Sequence, residues 1–534
     1  MRGSNMTNEG ETMHEQADAL RRSYLNGHID RATLLRRAAV LGIAASGAGA
    51  LPAFAGAAGG GTLKAALTGE PDMLDPTRSQ IYTGAQVYDN IFSKLIDIDE
   101  HQKFYGVLAK SFKQKDAKTW VFDLHSGVTF HNGDAFGAKD VKYTFERILN
   151  PKVASGYAGL YTAIKRIEVV SPTRVVFHLK TPFGPFLTNL ANNGEIVNKR
   201  SVEAKGSERK PVGTGPFQFV EWRQGDGITL KRFAGYFKKG APSLEGVEFK
   251  FLLVDQGRID ALKSGDLDWA DAVPLQQLDA LAKDPQLTLV RSKLAGIPDY
   301  LALNVRTAPF NNKALRQAVA YAIDREEIRK VAYFGSGEDG LLEVPTGSAW
   351  YAAGDAPYPK QDLAKAKAKL AESGFKKGGT IKYLGLPQYP ELLKTGQVVR
   401  DQLKQIGINL EIEQVDVSVW FDKFSKGTYE ITSAYQERTI DPDNFYALVL
   451  KSGAPINATG YKNPVVDHLI ARASATTNAA KRRALYRKIR QIALGDAALI
   501  FTHYETINYA MRKGVTGSVT NPTLELRLEN VKKA

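Results

Sequence analysis

The stretch Tyr300–Ile328, YLALNVRTAPFNNKALRQAVAYAIDREEI, decides the fold. It opens as a strand, with Tyr300, Leu301, Leu303 and Val305 apolar, crosses a turn at Pro309–Asn312 and enters a helix. On that helix Leu315, Ala318, Val319, Ala322 and Ile323 recur at three- and four-residue spacing, the pattern of a face packed on a sheet. Asp324-Arg325 then interrupts the apolar face. A strand running through a turn into such a helix is a building unit of an α/β lobe.

The units on either side extend this reading. Downstream, Asp362–Leu370 is a charged helix stopped by Gly374, Ile381–Leu386 a strand, Gln397–Ile406 a helix and Ile408–Val415 a strand. That alternation predicts a mainly parallel sheet with helices on its faces. Upstream, Thr62–Leu67 reads as a buried strand, EPDMLDP (Glu70–Pro76) as a turn, and Tyr82–Leu95 as a helix with Val87, Ile91 and Leu95 on one face. Residues 118–149 give alternating strands around Gly127 and Asn132-Gly133, then an amphipathic helix starting at Ala138-Lys139-Asp140. His125, His131, Asp134 and Asp140 fall here without the close helical spacing a metal site needs, and a structural role is expected for them. Val212–Phe217, VGTGPF, reads as a tight backbone bend; a strand follows it, so it is no phosphate cradle. Gly257–Leu267 is a short helix ending at Gly265.

At 534 residues the chain exceeds the size at which one core stops growing, so two or three lobes are expected. Hydrophobic content of 43% and charged content of 24% are ordinary globular values, and no repeat or low-complexity tract suggests a solenoid. The net charge is +14, but the basic groups are scattered and not interleaved with a stacking aromatic array, which argues against nucleic acid. There is no cysteine, so thiolate metal sites and thiol catalysis are excluded. No cofactor motif is found, and no metal is expected.

Taken in order, the Tyr300–Ile328 stretch, the EPDMLDP turn with its helix, residues 118–149, VGTGPF, Thr229–Phe237 and Gly257–Leu267 resemble the family 5 extracytoplasmic solute-binding proteins, receptors of peptide, nickel and opine ABC importers. The resemblance spans essentially the whole chain beyond its first 60 residues. It implies an α/β, two-lobed periplasmic binding protein with a hinge and an extra domain inserted in the first lobe. The implied limits are lobe I at 62–96, 212–301 and 513–534, the inserted domain II at 97–211, and lobe III at 302–512. It also implies a monomer that binds a small solute, performs no reaction, and meets the transmembrane permease subunits of an ABC importer with its ATPase.

Residues 1–55 read as an export signal. Arg31, Arg36 and Arg37 precede the uncharged run Ala38–Ala50, and Ala53 and Ala55 stand at the −3 and −1 positions of a cleavage site. A run of about 13 residues is too short for a membrane span of roughly 20. The tract Asp30–Gly42 resembles twin-arginine signals, although Ala32 stands where the second arginine belongs, so Sec export is the alternative. No cysteine follows the signal to take a lipid anchor, which fits a free periplasmic protein.

Ligands favour the cleft between lobes, at loops leaving strand ends. Tyr82 lies in the SQIYTG loop that faces the cleft in relatives, Tyr389 and Tyr435 lie on lobe III loops, and Trp420 matches a ligand-stacking tryptophan of the family. Peptide-binding relatives hold the ligand's amino terminus with an aspartate three residues before an Asp/Glu-Pro pair. Counting back from Asp441-Pro442 gives Arg438, a reversal of charge. The tract Leu384–Pro390, LGLPQYP, also lacks the arginine that holds the carboxylate in dipeptide-binding relatives. Arg438 either meets an anionic group of the solute, such as an opine, sugar conjugate or modified peptide, or pairs with Glu437, Asp441 or Asp443. Two other classes compete. A secreted hydrolase could use Asp441 and Asp443, but Asp-Pro-Asp-Asn is also turn chemistry and a Gly-x-Ser-x-Gly motif is absent. A ligand-binding partner of a sensor system would use the same cleft.

Overall fold

A computed structural model describes residues 60–292, 296–517, 519–520 and 523–534. The expected export signal, residues 1–55, lies outside the described residues. No helix among the described residues is long and apolar enough to cross a membrane.

The deciding stretch folds as a strand, Pro298–Leu303, followed by a helix, Lys313–Ala322. The side chain of Asn312 caps that helix by accepting from the Leu315 N–H at 3.2 Å. Leu315, Ala318, Val319, Ala322 and Ile323 are all buried, packed with Leu301, Leu303, Ile431 and Ile500 of the sheet beneath. The interruption at Asp324-Arg325 is a break between two helices. Asp324 caps the second, Arg325–Ala332, through the Glu327 N–H. Arg325 is buried because its Nε donates to the carbonyls of Gly340 (2.7 Å) and Phe501 (2.8 Å), tying the helix to the strand Leu499–Tyr504.

Two sheets organise the chain. The first has seven strands in the order Leu287–Ser292, Ile507–Arg512, Trp269–Ala270, Gly60–Leu67, Leu244–Phe251, Gly227–Arg232, Phe217–Arg223. The second has six: Glu338–Asp339, Leu499–Tyr504, Pro298–Leu303, Ile431–Tyr435, Thr380–Gly385, Asn409–Gln414. Neither is mainly parallel. Thr380–Gly385 pairs in parallel with both of its neighbours, but Pro298–Leu303 is antiparallel to both of its own. In the first sheet Phe217–Arg223 and Gly227–Arg232 form an antiparallel pair around a tight turn where Gly225 takes φ +70°. A separate antiparallel sheet, ordered Ala109–Asp116, Thr119–Leu124, Arg174–Leu179, Ile164–Ser171, packs Phe122, Phe145, Phe177 and Phe186 edge to face at 5.3–5.5 Å.

Strand pairing changes from one sheet to the other a few residues from the expected limits at 301 and 512. Pro298–Leu303 pairs in the second sheet, and Ile507–Arg512 pairs with Trp269–Ala270 and Leu287–Ser292 in the first. The chain therefore passes between the sheets just before Pro298 and again at Glu505-Thr506. The two crossings are hydrogen-bonded to each other, Glu505 N–H to the Ile297 carbonyl at 3.1 Å.

Candidate functional site

Beside the crossings lies a cavity of about 490 Å³. The first-sheet lobe contributes Tyr82, Arg258, Asp271 and Asn508; the second contributes Tyr333, Tyr389, Glu391, Glu437 and His503; Ile297 and Glu505 come from the crossings themselves. A volume of this size fits an organic solute, and its placement between lobes is where ligand sites concentrate.

Its electrostatics run against the chain's overall basicity. Among the described residues Arg258 is the one Lys/Arg in the lining; its terminal nitrogens donate to Asp255 at 2.6 Å, the Leu252 carbonyl at 2.7 Å and the Ala272 carbonyl at 3.1 Å, while its Nε has no partner. Asp271 is wholly buried. Its Oδ1 accepts from the Tyr82 hydroxyl (3.1 Å) and the Ala272 N–H (2.8 Å), while Oδ2 has no partner, and burial pushes the carboxyl up to about 6. Burial, then the neighbouring Glu391, raise Glu505 to about 7. Behind it Asp299 is raised by burial and by Glu505. His503 is pushed down to about 3 by burial and by Arg329; its ring is stacked on Tyr333 at 3.6 Å, so it adds no positive charge at neutral pH.

The five expected site residues do not converge. Tyr82 and Tyr389 line the cavity, and Tyr435 stands against Tyr389 with ring centres 5.9 Å apart. Trp420 is not in the lining. It sits on the helix Val417–Lys426, 5% exposed, with its ring stacked on Phe424 at 4.5 Å and its indole N–H donated to Thr432 Oγ1 at 3.0 Å. A buried ring with a satisfied N–H is core. Trp420→Phe is expected to lower stability by about 1–2 kcal/mol, through lost volume and a lost hydrogen bond, with solute affinity unchanged; denaturant unfolding and calorimetry on the same preparation check both halves.

Arg438 also lies outside the lining. Its backbone is left-handed at φ +56°, its guanidinium donates to the Asn192 carbonyl at 3.2 Å, and Asn192 Nδ2 donates back to the Arg438 carbonyl at 3.3 Å. Burial works against its charge, but Tyr88, Tyr157, Asp89 and Glu525 around it hold that charge in place. It thus reaches across to the segment Phe186–Asn193, not to the cavity, and pairs with none of Glu437, Asp441 or Asp443. Asp441 is held instead by Arg482 through two bonds of 2.7 and 2.8 Å, and Asp443 by Ser474. Asp89, Glu195 and Glu525 cluster near Arg438, where Lys94 and Arg527 already pair with Glu525. His131 and Asp140 are structural: His131 Nε2 contacts the Gly215 carbonyl at 3.0 Å, and Asp140 accepts from the Gly137 N–H at 2.9 Å.

Sequence reading missed Asp271, Glu391, Glu437, Glu505 and Asn508. Two carried a signal: Asp271 ends the apolar strand Trp269–Ala270, and Glu505 is the one charged residue among the described Leu499–Met511, between two strands rich in apolar and aromatic residues. Charges placed in such runs mark sites or crossings.

A family model for bacterial extracellular solute-binding proteins, family 5 Middle, matches residues 103–456. The glutathione-binding protein GsiB of Pectobacterium atrosepticum is 30% identical over 470 residues, covering 84% of this chain and 90% of the relative. Among solved structures, the PBP AgaA from A. tumefaciens R10 in complex with agropinic acid shares 31% identity at a TM-score of 0.76, covering 89% of this chain and 99% of that one. The ABC transporter substrate-binding protein CtaP of Listeria monocytogenes shares 25% identity at a TM-score of 0.82, with the same coverage of both chains.

Proposed function

The chain belongs to the bacterial extracellular solute-binding proteins of family 5, and from that premise we propose that it is the periplasmic receptor of an ABC importer, closing on an organic solute and delivering it to the permease. The observation that carries the reading is the cavity of about 490 Å³ bounded by both lobes and their two crossing segments. A solute there touches both lobes at once, so it binds one relative lobe orientation better than others and shifts the population toward it. Relatives that hold glutathione or agropinic acid support an organic solute of modest size. Tyr82 and Tyr389 contact it, and Tyr435 backs Tyr389. The two carboxylates a hydrolase would need, Asp441 and Asp443, are already engaged by Arg482 and Ser474, which favours carriage over chemistry.

Small-angle scattering and thermal unfolding test the reading, with glutathione, agropinic acid and short peptides as probes. A bound probe is expected to shrink the radius of gyration and raise Tm, because it binds only the folded, closed state. Superimposable scattering profiles with a tightly bound probe would refute lobe closure. Export follows from residues 1–55: mature protein from the periplasm is expected to begin at Gly56, and Arg36→Gln with Arg37→Gln to leave precursor in the cytoplasm. N-terminal sequencing and fractionation check both.

A further inference from the structure

We propose that the solute bears a protonated amine or guanidinium group, held in the cavity against Glu391, Glu437 and Glu505; this rests on the receptor role proposed above. Among the described residues the lining carries Asp255, Asp271, Glu391, Glu437 and Glu505 against Arg258 alone, and the terminal nitrogens of Arg258 are taken by Asp255 and two carbonyls. Among the described residues no Lys or Arg lies within ion-pair distance of Asp271, Glu391, Glu437 or Glu505. Asp299, 1% exposed, lies behind Glu505 outside the lining, with Glu505 and Tyr333 beside its carboxyl group.

Behind the wall lie further acceptors. Asn508 is 3% exposed and lines the cavity; its amide nitrogen donates to the Thr506 carbonyl at 2.8 Å, leaving its oxygen with no donor. Asp271 Oδ2, likewise buried, has none. The half-exposed carboxylates Glu391, Glu437 and Glu505 therefore present negative charge in excess, and the acceptors buried behind them reinforce it. Buried acceptors without donors are costly, and several carboxylates facing one space repel each other. A cation in the cavity relieves that repulsion, whereas a carboxylate or phosphate placed there worsens it. Tyr389, 37% exposed and adjacent to Tyr435, offers a ring face that suits a cation.

The raised carboxyl groups fit this arrangement. Glu505 faces Glu391, Asp299 and Glu437, Asp271 faces Tyr82, Tyr509 and the cation Arg258, and Arg438 acts on Glu437. A bound cation would drive protons off Asp271 and Glu505, so its affinity rises with pH across about 6 to 7. The position where peptide-binding relatives hold an amine carries Arg438 here, and the negative charge lies instead at its neighbour Glu437 and across the cavity.

Calorimetry and thermal shift on the mature chain test this with three probes and one extract. The probes are Ala-Lys-Ala, the same peptide acetylated on both amines, and glutathione; the extract is culture medium split on cation and anion exchangers. Binding is expected from the cation-exchanger fraction and from Ala-Lys-Ala above its acetylated form. It should weaken at least about tenfold in Glu437→Gln/Glu505→Gln, which removes charge without changing volume. That variant is expected to be no less heat-stable than the parent, so weak binding would not reflect misfolding. Tighter binding of the acetylated peptide than of its parent would overturn the cation while leaving the receptor role intact; glutathione keeps an ammonium group, so any binding it shows should also weaken in the double variant. Cation binding unchanged in the double variant would overturn the residues named. Binding by no probe and neither fraction would count against the receptor role and remove the cation proposal with it.

Discussion

Arg490→Met is expected to destabilise the second lobe by about 3–5 kcal/mol, the cost of leaving a buried charge without its partner. Arg490 is 2% exposed and answers two carboxylates: its Nε lies 3.2 Å from both oxygens of Glu343, and its Nη1 lies 2.9 Å from Asp355. Glu343 is wholly buried and also accepts from the Tyr446 hydroxyl at 2.6 Å. Removing the guanidinium leaves Glu343 without a cation in low dielectric, while Asp355 keeps Arg487 at 2.8 Å. The damage should travel to the site, because the Glu343 carbonyl accepts from the Tyr504 hydroxyl at 2.5 Å and Tyr504 runs directly into the crossing at Glu505. Thermal unfolding checks it; for a cooperative unit of roughly 200 residues the expected fall in Tm is on the order of 10 °C. Adding Glu343→Gln should recover much of the loss, since the penalty lies in that orphaned charge. A Tm within a degree or so of the parent would show that water or rearrangement replaces Arg490.

The local parts of the fold were legible because they are set by near neighbours. The three- and four-residue spacing from Leu315 to Ile323 identified a helix face that is buried, and Gly374 and Gly265 end their helices in the left-handed conformation only glycine adopts cheaply. The helix from Tyr82 was read through Leu95 but stops at Tyr88, because the Asn90 and Ile91 carbonyls accept from Phe217 and Gly215 instead of continuing the helix. That tertiary contact also explains VGTGPF: a Cβ on Gly213 would lie 2.1 Å from the Ile91 carbonyl oxygen. The helix Pro390–Lys404 starts seven residues before the expected Gln397, with proline in its first turn, a signal that was present in the tract LGLPQYP. Sheet membership was not legible, since Ile507–Arg512 pairs with strands more than 200 residues away. Side-chain direction was not legible either. Trp420 and Arg438 match family positions in sequence, yet one is core and the other faces Asn192. The acidic wall assembles from Asp271, Glu391, Glu437 and Glu505, four segments whose proximity exists only after folding.

Asp271→Asn is expected to stabilise the solute-free protein, by up to about 3 kcal/mol at pH 7.5. The sign follows from the two states. Unfolded, the carboxyl titrates near 3.8; folded, burial holds it at about 6, so the folded state binds the proton more tightly between those values. Stability contributed by this group is therefore complete below about pH 4, falls as pH rises through 4 to 6, and is lowest above that. A difference of roughly two units corresponds to about 3 kcal/mol. Asparagine keeps an oxygen for the Tyr82 hydroxyl and the Ala272 N–H, so the local geometry survives while the charge is gone. Denaturant unfolding at pH 4 and pH 7.5 should show variant and parent alike at the lower pH and separated at the higher. Solute should reverse the order: a cation beside Asp271 stabilises the charged form, so a cationic solute raises the parent's Tm more than the variant's. A stabilising substitution that weakens binding is the behaviour of a residue retained for its ligand at the expense of the empty fold. A variant equally stable at both pH values would show that Asp271 is solvated well enough to ionise freely, and the cavity would then be wetter than its wall of buried acceptors implies.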